Sequence, residues 1–176
     1  MRLLRFLLGL VAGLALWMYA TPAYDELLAA MTEPLLRVDA RFRDADLVAV
    51  DTRMHVRSQR GNFPLAIIPA SQLTFNTILL TALFASNAAP LGRRNLRAFL
   101  LSLLIVLALH PLGLVISIES TYALRLEEYS ETHYGDFARN FWLVAEMFWR
   151  LVGMFGIAFA CWYMTSGETT KAAKSH

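Results

Sequence analysis

The stretch that decides the fold is FWLVAEMFWRLVGMFGIAFACWYM, residues 141–164, near the C-terminus. It is apolar along its length except for Glu146 and Arg150, and aromatic residues stand at both of its ends. About 20 apolar residues suffice to span a bilayer, and tryptophan and tyrosine are enriched at its two surfaces. The stretch is therefore predicted to be a transmembrane helix.

Three further apolar runs of similar length precede it, at residues 3–20, 70–89 and 98–118. Of the 176 residues, 57% are hydrophobic and only 17% are charged, whereas a soluble domain is about one-quarter charged. We therefore predict an all-α transmembrane fold, a four-helix membrane bundle in contact with membrane lipid. The whole chain, residues 1–176, is predicted to be a single integral membrane domain.

The flanking charges predict the orientation of these spans. Basic residues crowd the N-terminus, the segment between the second and third runs, and the C-terminal tail: Arg2, Arg5, Arg93, Arg94, Arg97, Lys171 and Lys174, against the single acid Glu168. Residues 21–69 and 119–140 contain more acidic than basic residues. Because Lys and Arg accumulate in cytoplasmic segments, both termini are predicted to be cytoplasmic and these two segments to face outward.

The first run has a second interpretation as a cleaved signal peptide. Arg2 and Arg5 precede the apolar stretch, and Thr21 and Ala23 loosely satisfy the small-residue rule of a cleavage site. The bulky residues 17–19 are unfavourable at such a site, so an uncleaved span is preferred.

The first outer segment is predicted to contain a small β-hairpin. Residues 24–36 have helical apolar spacing, with Pro34 as the expected break. From Val48 to Val56, apolar and polar residues then alternate, which is typical of a half-buried strand. SQRGN is a turn signal and FPLAIIP a second apolar strand. The extracytoplasmic hairpin between helices 1 and 2 is therefore expected at residues 47–57 and 63–69.

Four polar residues fall at similar depth within three predicted helices: Asn76, His110, Glu146 and Arg150. Glu146 and Arg150 are four residues apart, a spacing at which helical side chains meet, so we expect them to pair. One interpretation is a structural cluster that holds helices together, as polar side chains do in membranes. The other is a catalytic or transport site, since intramembrane ionisable residues often mark one.

The sequence gives little support for a disulfide, a metal site, a catalytic centre or nucleic-acid binding. The one cysteine, Cys161, allows no internal disulfide, and His55, His110 and His133 lack the spacing of metal ligands. No catalytic residue, metal or cofactor is predicted. The net charge is only +2 and no basic stripe is present, so nucleic acid is not an expected partner.

The chain resembles the exosortase-associated membrane proteins, specifically the small proteins encoded with H-type exosortases of Gram-negative bacteria. The resemblance covers most of the chain. It lies in the layout and texture of the stretches NFPLAIIPASQLTFNTILLTALFASNAA, RRNLR and HPLGLVISIESTYAL, together with the aromatic-rich last span.

The resemblance implies a non-enzymatic accessory subunit of the bacterial inner membrane, with an exosortase-like integral membrane enzyme as its partner. Exosortases process C-terminal sorting signals and resemble Cys-dependent transpeptidases with membrane-embedded Cys, Arg and His. Here Cys161 falls toward the cytoplasmic end of its span, which favours an accessory protein. Two alternatives stay open: a small membrane enzyme with an outward-facing pocket of Glu146, His110 and Arg150, or a subunit of a transport or ion-path complex.

Overall fold

The computed structural model describes residues 1–172, with side chains through Thr165, and most of these residues are helical. The helices are α1 (Arg2–Leu36), α2 (Ala70–Thr74), α3 (Asn76–Ala85), α4 (Arg93–Leu124), α5 (Glu127–His133), α6 (Asp136–Phe148) and α7 (Met154–Ala172). The strands are β1 (Ala45–Val50), β2 (Arg53–Ser58) and β3 (Ala66–Ile68). Lys174 lies outside the described residues, and Glu168 and Lys171 lie outside the described side chains.

Within the described residues, three helices are long and apolar enough to cross a membrane. They are α1, α4 and the helix Asp136–Thr165, in which a π-helical turn at Trp149–Gly153 joins α6 to α7. These helices contain the predicted runs 3–20, 98–118 and 141–164. The predicted break at Pro34 is wrong, because α1 continues to Leu36, which is buried.

The predicted second span is shorter than the run of apolar residues. The apolar helix covers Ala70–Ala85, with Phe75 between α2 and α3, and the predicted residues 86–89 lie outside it. Pro90 follows, and a proline disfavours helical geometry in the residue before it. The side-chain amide of Asn95 donates to the carbonyl of Pro90 at 2.8 Å, which stabilises the non-helical turn.

The chain divides into two compact units, and residues 1–19, 75–108 and the described part of 152–176 form the first. Its buried core consists of Leu80, Phe84, Val106 and Ala158. Helix α1 approaches α3 at Gly9 and Gly13, where an added Cβ would meet Ala85 and Thr81, respectively. Small residues four apart allow such close contact between helices in a membrane.

The second unit, residues 20–74 and 109–151, contains the antiparallel sheet in the order β1-β2-β3. One face of the sheet is buried and comprises Ala45, Leu47, Met54, Val56, Ala66 and Ile68. Beside it, the rings of Phe42, Phe63 and Tyr122 meet edge to face, with centroids 4.9–5.5 Å apart. The apolar side chains of this face and the three aromatic rings are all buried within the second unit.

The predicted hairpin is wrong in its detail, because the alternating stretch 47–57 is two strands. Val50 pairs with Arg53 across a two-residue turn, in which Asp51 adopts a φ of +56°. Aspartate tolerates this left-handed conformation better than most residues. The turn keeps the alternation of apolar and polar residues intact, so periodicity alone does not show where the chain reverses. The predicted strand 63–69 is shorter and covers only 66–68.

The SQRGN segment connects β2 to β3 and is held by side chains. The carboxylate of Asp44 accepts from the Ser58 hydroxyl at 2.5 Å and from the Arg60 amide at 3.0 Å. The Ser58 oxygen in turn accepts from the Asn62 amide at 2.7 Å. The hydrogen bond from Ser58 lowers the pKa of Asp44, so the loop is held by an ionised carboxylate.

Gly113 is the point of closest packing between α4 and the π-helical turn. A Cβ at this position would overlap the indole of Trp149, which is itself buried. By contrast, a Cβ added at Gly135, before α6, would meet nothing within 4 Å. The two glycines therefore offer a matched pair for measuring how much the indole contact matters.

We expect Gly113→Ala to lower the free energy of unfolding by about 1–3 kcal/mol, because overpacking forces the ring or the backbone to move. Gly135→Ala should stay within about 0.5 kcal/mol of the parent, as surface changes usually do. Reversible unfolding in detergent measures both. Equal losses in the two variants would contradict the packing argument, and recovery in Gly113→Ala with Trp149→Leu would support it.

Candidate functional site

The four sequence-predicted polar residues are divided between the two units. Asn76 lies in the first unit, and His110, Glu146 and Arg150 lie in the second. Asn76, His110 and Glu146 are all buried. A single cluster of all four residues therefore stays a prediction, whereas the contacts within the second unit are directly visible.

Glu146 and Arg150 form an ion pair, with 2.7 Å between Glu146 Oε1 and Arg150 Nη2. The same oxygen accepts from Arg125 Nη2 at 3.0 Å. The Glu146 side chain is only 8% exposed, whereas those of Arg125 and Arg150 are 54% and 45% exposed. The group is thus a buried carboxylate shared by two half-exposed guanidinium groups. We call the two arginines together with Glu146 the arginine pair.

Arg125 was missed because sequence spacing reports contacts within one helix only. It follows the last residue of α4, and 21 residues separate it from Glu146. The chain turns back through α5, which brings α6 alongside α4. An arginine just beyond an apolar helix is an available signal, but its partner depends on that reversal.

His110 contacts a tyrosine of α1. The distance from Tyr24 Oη to His110 Nδ1 is 2.7 Å, and the two rings meet edge to face with centroids 5.7 Å apart. The hydroxyl donates if Nδ1 is unprotonated, which corresponds to the neutral imidazole with its proton on Nε2. This contact links the middle of α4 to α1 within the second unit.

Asp25 is a second buried carboxylate, and it was not predicted from the sequence. It is 0% exposed, and neither of its oxygens has a hydrogen-bond partner among the described residues. The residues one and two turns away on the same helix face, Thr21, Leu28 and Thr32, are buried as well. Burying a carboxylate without compensating hydrogen bonds is unfavourable, so this position is costly to the fold.

A third polar group joins the segment after α1 to α4 and to the turn before α6. Arg41 bonds Asp39 and reaches Glu119 Oε2 at 3.2 Å, and Tyr134 Oη donates to the same Glu119 oxygen at 2.9 Å. The Arg41 guanidinium also lies 4.2 Å from the centroid of the Tyr134 ring. The hydrogen bond from Arg41 lowers the pKa of Asp39, and burial raises the pKa of Tyr134.

These groups offer charge and hydrogen bonding but lack the arrangement of a metal centre. Within the described part of the chain, no three His, Cys, Asp or Glu side chains come together in a way that could hold a metal ion. Cys161 belongs to the first unit and His110 to the second. Glu119 and Glu146 are instead buried carboxylates in ion pairs with arginines.

Comparison with known proteins yields no match: no family model, curated protein or solved structure matches this chain.

We expect Glu146→Leu to lower the free energy of unfolding by about 1–3 kcal/mol, because it removes the carboxylate that, among the described residues, alone pairs with the two arginines. Their half exposure keeps the loss below that of a fully buried pair. Glu146→Leu with Arg150→Met should recover part of it, since the more deeply placed cation is gone. Glu128→Leu on the exposed α5 is the control. Unfolding in detergent measures all four proteins, and equal stability would rule out a cohesive role.

We expect Asp25→Ala to raise the free energy of unfolding by about 1–3 kcal/mol, because it removes a buried polar group without hydrogen bonds. Glu26→Gln, at the exposed neighbouring position, should change it by about 0.5 kcal/mol or less. Thermal unfolding in detergent compares the two variants. A clear loss of stability in Asp25→Ala would show that the carboxylate has a stabilising partner in the membrane-embedded protein.

Proposed function

We propose that this protein is a non-enzymatic accessory subunit of the bacterial inner membrane that binds another integral membrane protein. The observation that carries the proposal is the second face of the sheet, opposite the buried one. On it, Val48 pairs with His55, and His55 pairs with Ile67, so the three form a row across all three strands. Ile67 is 45% exposed. We call this surface the outer sheet face.

The outer sheet face combines apolar and basic side chains. Beside the central row, Val50 pairs with Arg53, and Asp46 pairs with Arg57. Both arginines are exposed, and Leu65 just before β3 is 53% exposed. Interface centres are typically apolar with arginine enriched around them. A partner segment with apolar side chains and flanking acidic residues complements this surface in both respects.

An exosortase-like enzyme is the partner we propose, on the strength of the sequence resemblance. In this arrangement the chain crosses the membrane four times, with Ala70–Ala85 as a short span, and both termini lie in the cytoplasm. The basic bias of seven residues against one at the assigned inner segments supports this orientation. The sheet then faces outward, where sorting substrates present their C-terminal signals.

A second candidate function is a proton or cation path, and Asp25 is the observation that favours it. Asp25 lies just beyond the predicted first span, and a buried carboxylate without hydrogen-bond partners among the described residues costs stability. Buried ionisable side chains of membrane proteins commonly form part of proton relays. Tyr24 directly precedes Asp25 in the sequence, and its contact with His110 could pass a proton. If the protein conducts protons or cations, Asp25→Ala should abolish this conduction while the protein stays folded.

The docking proposal is tested with Ile67→Cys in a Cys161→Ser background. A membrane-impermeant thiol reagent should label position 67 in spheroplasts without permeabilisation, because the sheet faces outward. Co-expression with an H-type exosortase should reduce this labelling by about tenfold, as burial in an interface excludes the reagent. Gln59→Cys, in the exposed β2–β3 connection, is the control that should be labelled in both cases.

The two parts of this proposal fail separately. Labelling of both positions only after permeabilisation would contradict the orientation. Equal labelling of position 67 with and without the exosortase would contradict docking at the outer sheet face while leaving the orientation intact.

A further inference from the structure

The arginine pair holds more positive charge than its carboxylate neutralises. Arg125 and Arg150 both bond to Oε1 of Glu146, which leaves one net positive charge on the group. Each guanidinium has five N–H donors in a planar fork. Among the described residues, Glu146 is the only acid that pairs with either guanidinium: it accepts a hydrogen bond from Arg125 and forms an ion pair with Arg150, so most of these donors stay available.

The surroundings of Arg150 are apolar and face outward from the protein. Met147 and Leu151, adjacent to it on the helix surface, are 54% and 71% exposed. They belong to a helix that is long and apolar enough to cross a membrane, and in a membrane these exposed side chains would contact lipid. An exposed arginine in that environment is unfavourable unless an anion joins it or the side chain reaches the headgroups.

The direction of the Arg150 side chain determines which part of the membrane its guanidinium reaches. Helical side chains point toward the N-terminus of their helix, and Arg150 accordingly reaches back one turn to Glu146. Arg125 reaches the same oxygen from beyond the end of α4. The two guanidinium groups therefore meet at Glu146, and Arg125 reaches it from just beyond the end of α4, where the chain has left the predicted span 98–118.

We propose that Arg125 and Arg150 together bind a phosphate group, supplied by the headgroup of an anionic phospholipid. Guanidinium forks match phosphate oxygens in geometry and form charge-assisted hydrogen bonds with them. One phosphate diester carries one negative charge, which equals the net charge of the arginine pair. The lipid tails would lie along the exposed apolar side chains of the same helix. The site does not depend on the docking function proposed above.

The test uses the full-length protein in a neutral detergent and phosphate-free buffer, titrated with phosphatidylglycerol or phosphatidylcholine and followed by native mass spectrometry. Phosphatidylglycerol should bind more tightly, and inorganic phosphate should compete with it. Arg125→Gln and Arg150→Gln should each weaken its binding by about tenfold, the loss expected for one hydrogen bond between charged groups. Each variant keeps one arginine on Glu146, so folding is preserved. Arg139→Gln, on the same helix but outside the pair, should leave binding unchanged.

A further variant separates binding from cohesion. In Glu146→Gln the carboxylate no longer competes for the two guanidinium groups, so phosphatidylglycerol should bind several-fold more tightly even where unfolding becomes easier. Binding of inorganic phosphate with the same arginine dependence, without any for phosphatidylglycerol, would support the phosphate site and overturn the lipid as its source. Equal binding of the two lipids, or equal effects of Arg125→Gln, Arg150→Gln and Arg139→Gln, would overturn the site.

Discussion

A single carboxylate oxygen, Oε1 of Glu146, organises the polar contacts of the last membrane-length helix. It is buried, and it pairs with two guanidinium groups, Arg125 before it in the chain and Arg150 after it. A charge in apolar surroundings is tolerated only when it is paired, so the position of Glu146 constrains where α4 ends and how α6 returns. The short α5 and the turn before α6 satisfy that constraint by bringing Arg125 within reach.

The same logic applies to Glu119, with a different set of donors. Its carboxylate receives Arg41 from the segment after α1 and Tyr134 from the turn before α6. Three segments that are distant in sequence are thus tied to one buried group. Phe42 and Tyr122 lie on two of these segments, and both meet the ring of Phe63 from the β2–β3 connection edge to face, so ion pairing and apolar packing stabilise the same arrangement.

The helical part of the fold was predictable because apolar length is a strong signal, and three of the four predicted runs lie inside membrane-length helices. The ends of the elements were harder. Proline at position 34 does not end α1, whose following residue Arg37 bonds the Ala45 carbonyl of β1 through two nitrogens. The reversal at Asp51 leaves the apolar alternation unbroken, so one strand was expected where two are found.

In the candidate site, too, only contacts between residues close in the sequence could be predicted. Spacing alone identified Glu146 with Arg150, but it could not identify Arg125, Tyr24 or Arg41, whose partners depend on chain reversals and helix packing. Asp25 escaped for another reason: it lies in the sequence YDELLAA beside an exposed glutamate, where it reads as a surface residue of an amphipathic helix. Only its position on the buried face of α1 distinguishes it from Glu26.

The contrast among the three buried carboxylates bears on function. Glu146 pairs with two guanidinium groups, and Glu119 is bonded by Arg41 and Tyr134, which is what a cohesive role requires. Asp25 receives no hydrogen bond from the described residues, although it is the least exposed of the three. Cohesion therefore accounts for the first two and not for the third, since an alanine at position 25 would serve packing at lower cost. The stability of Asp25→Ala is therefore the measurement on which the proposed path and subunit functions differ most clearly.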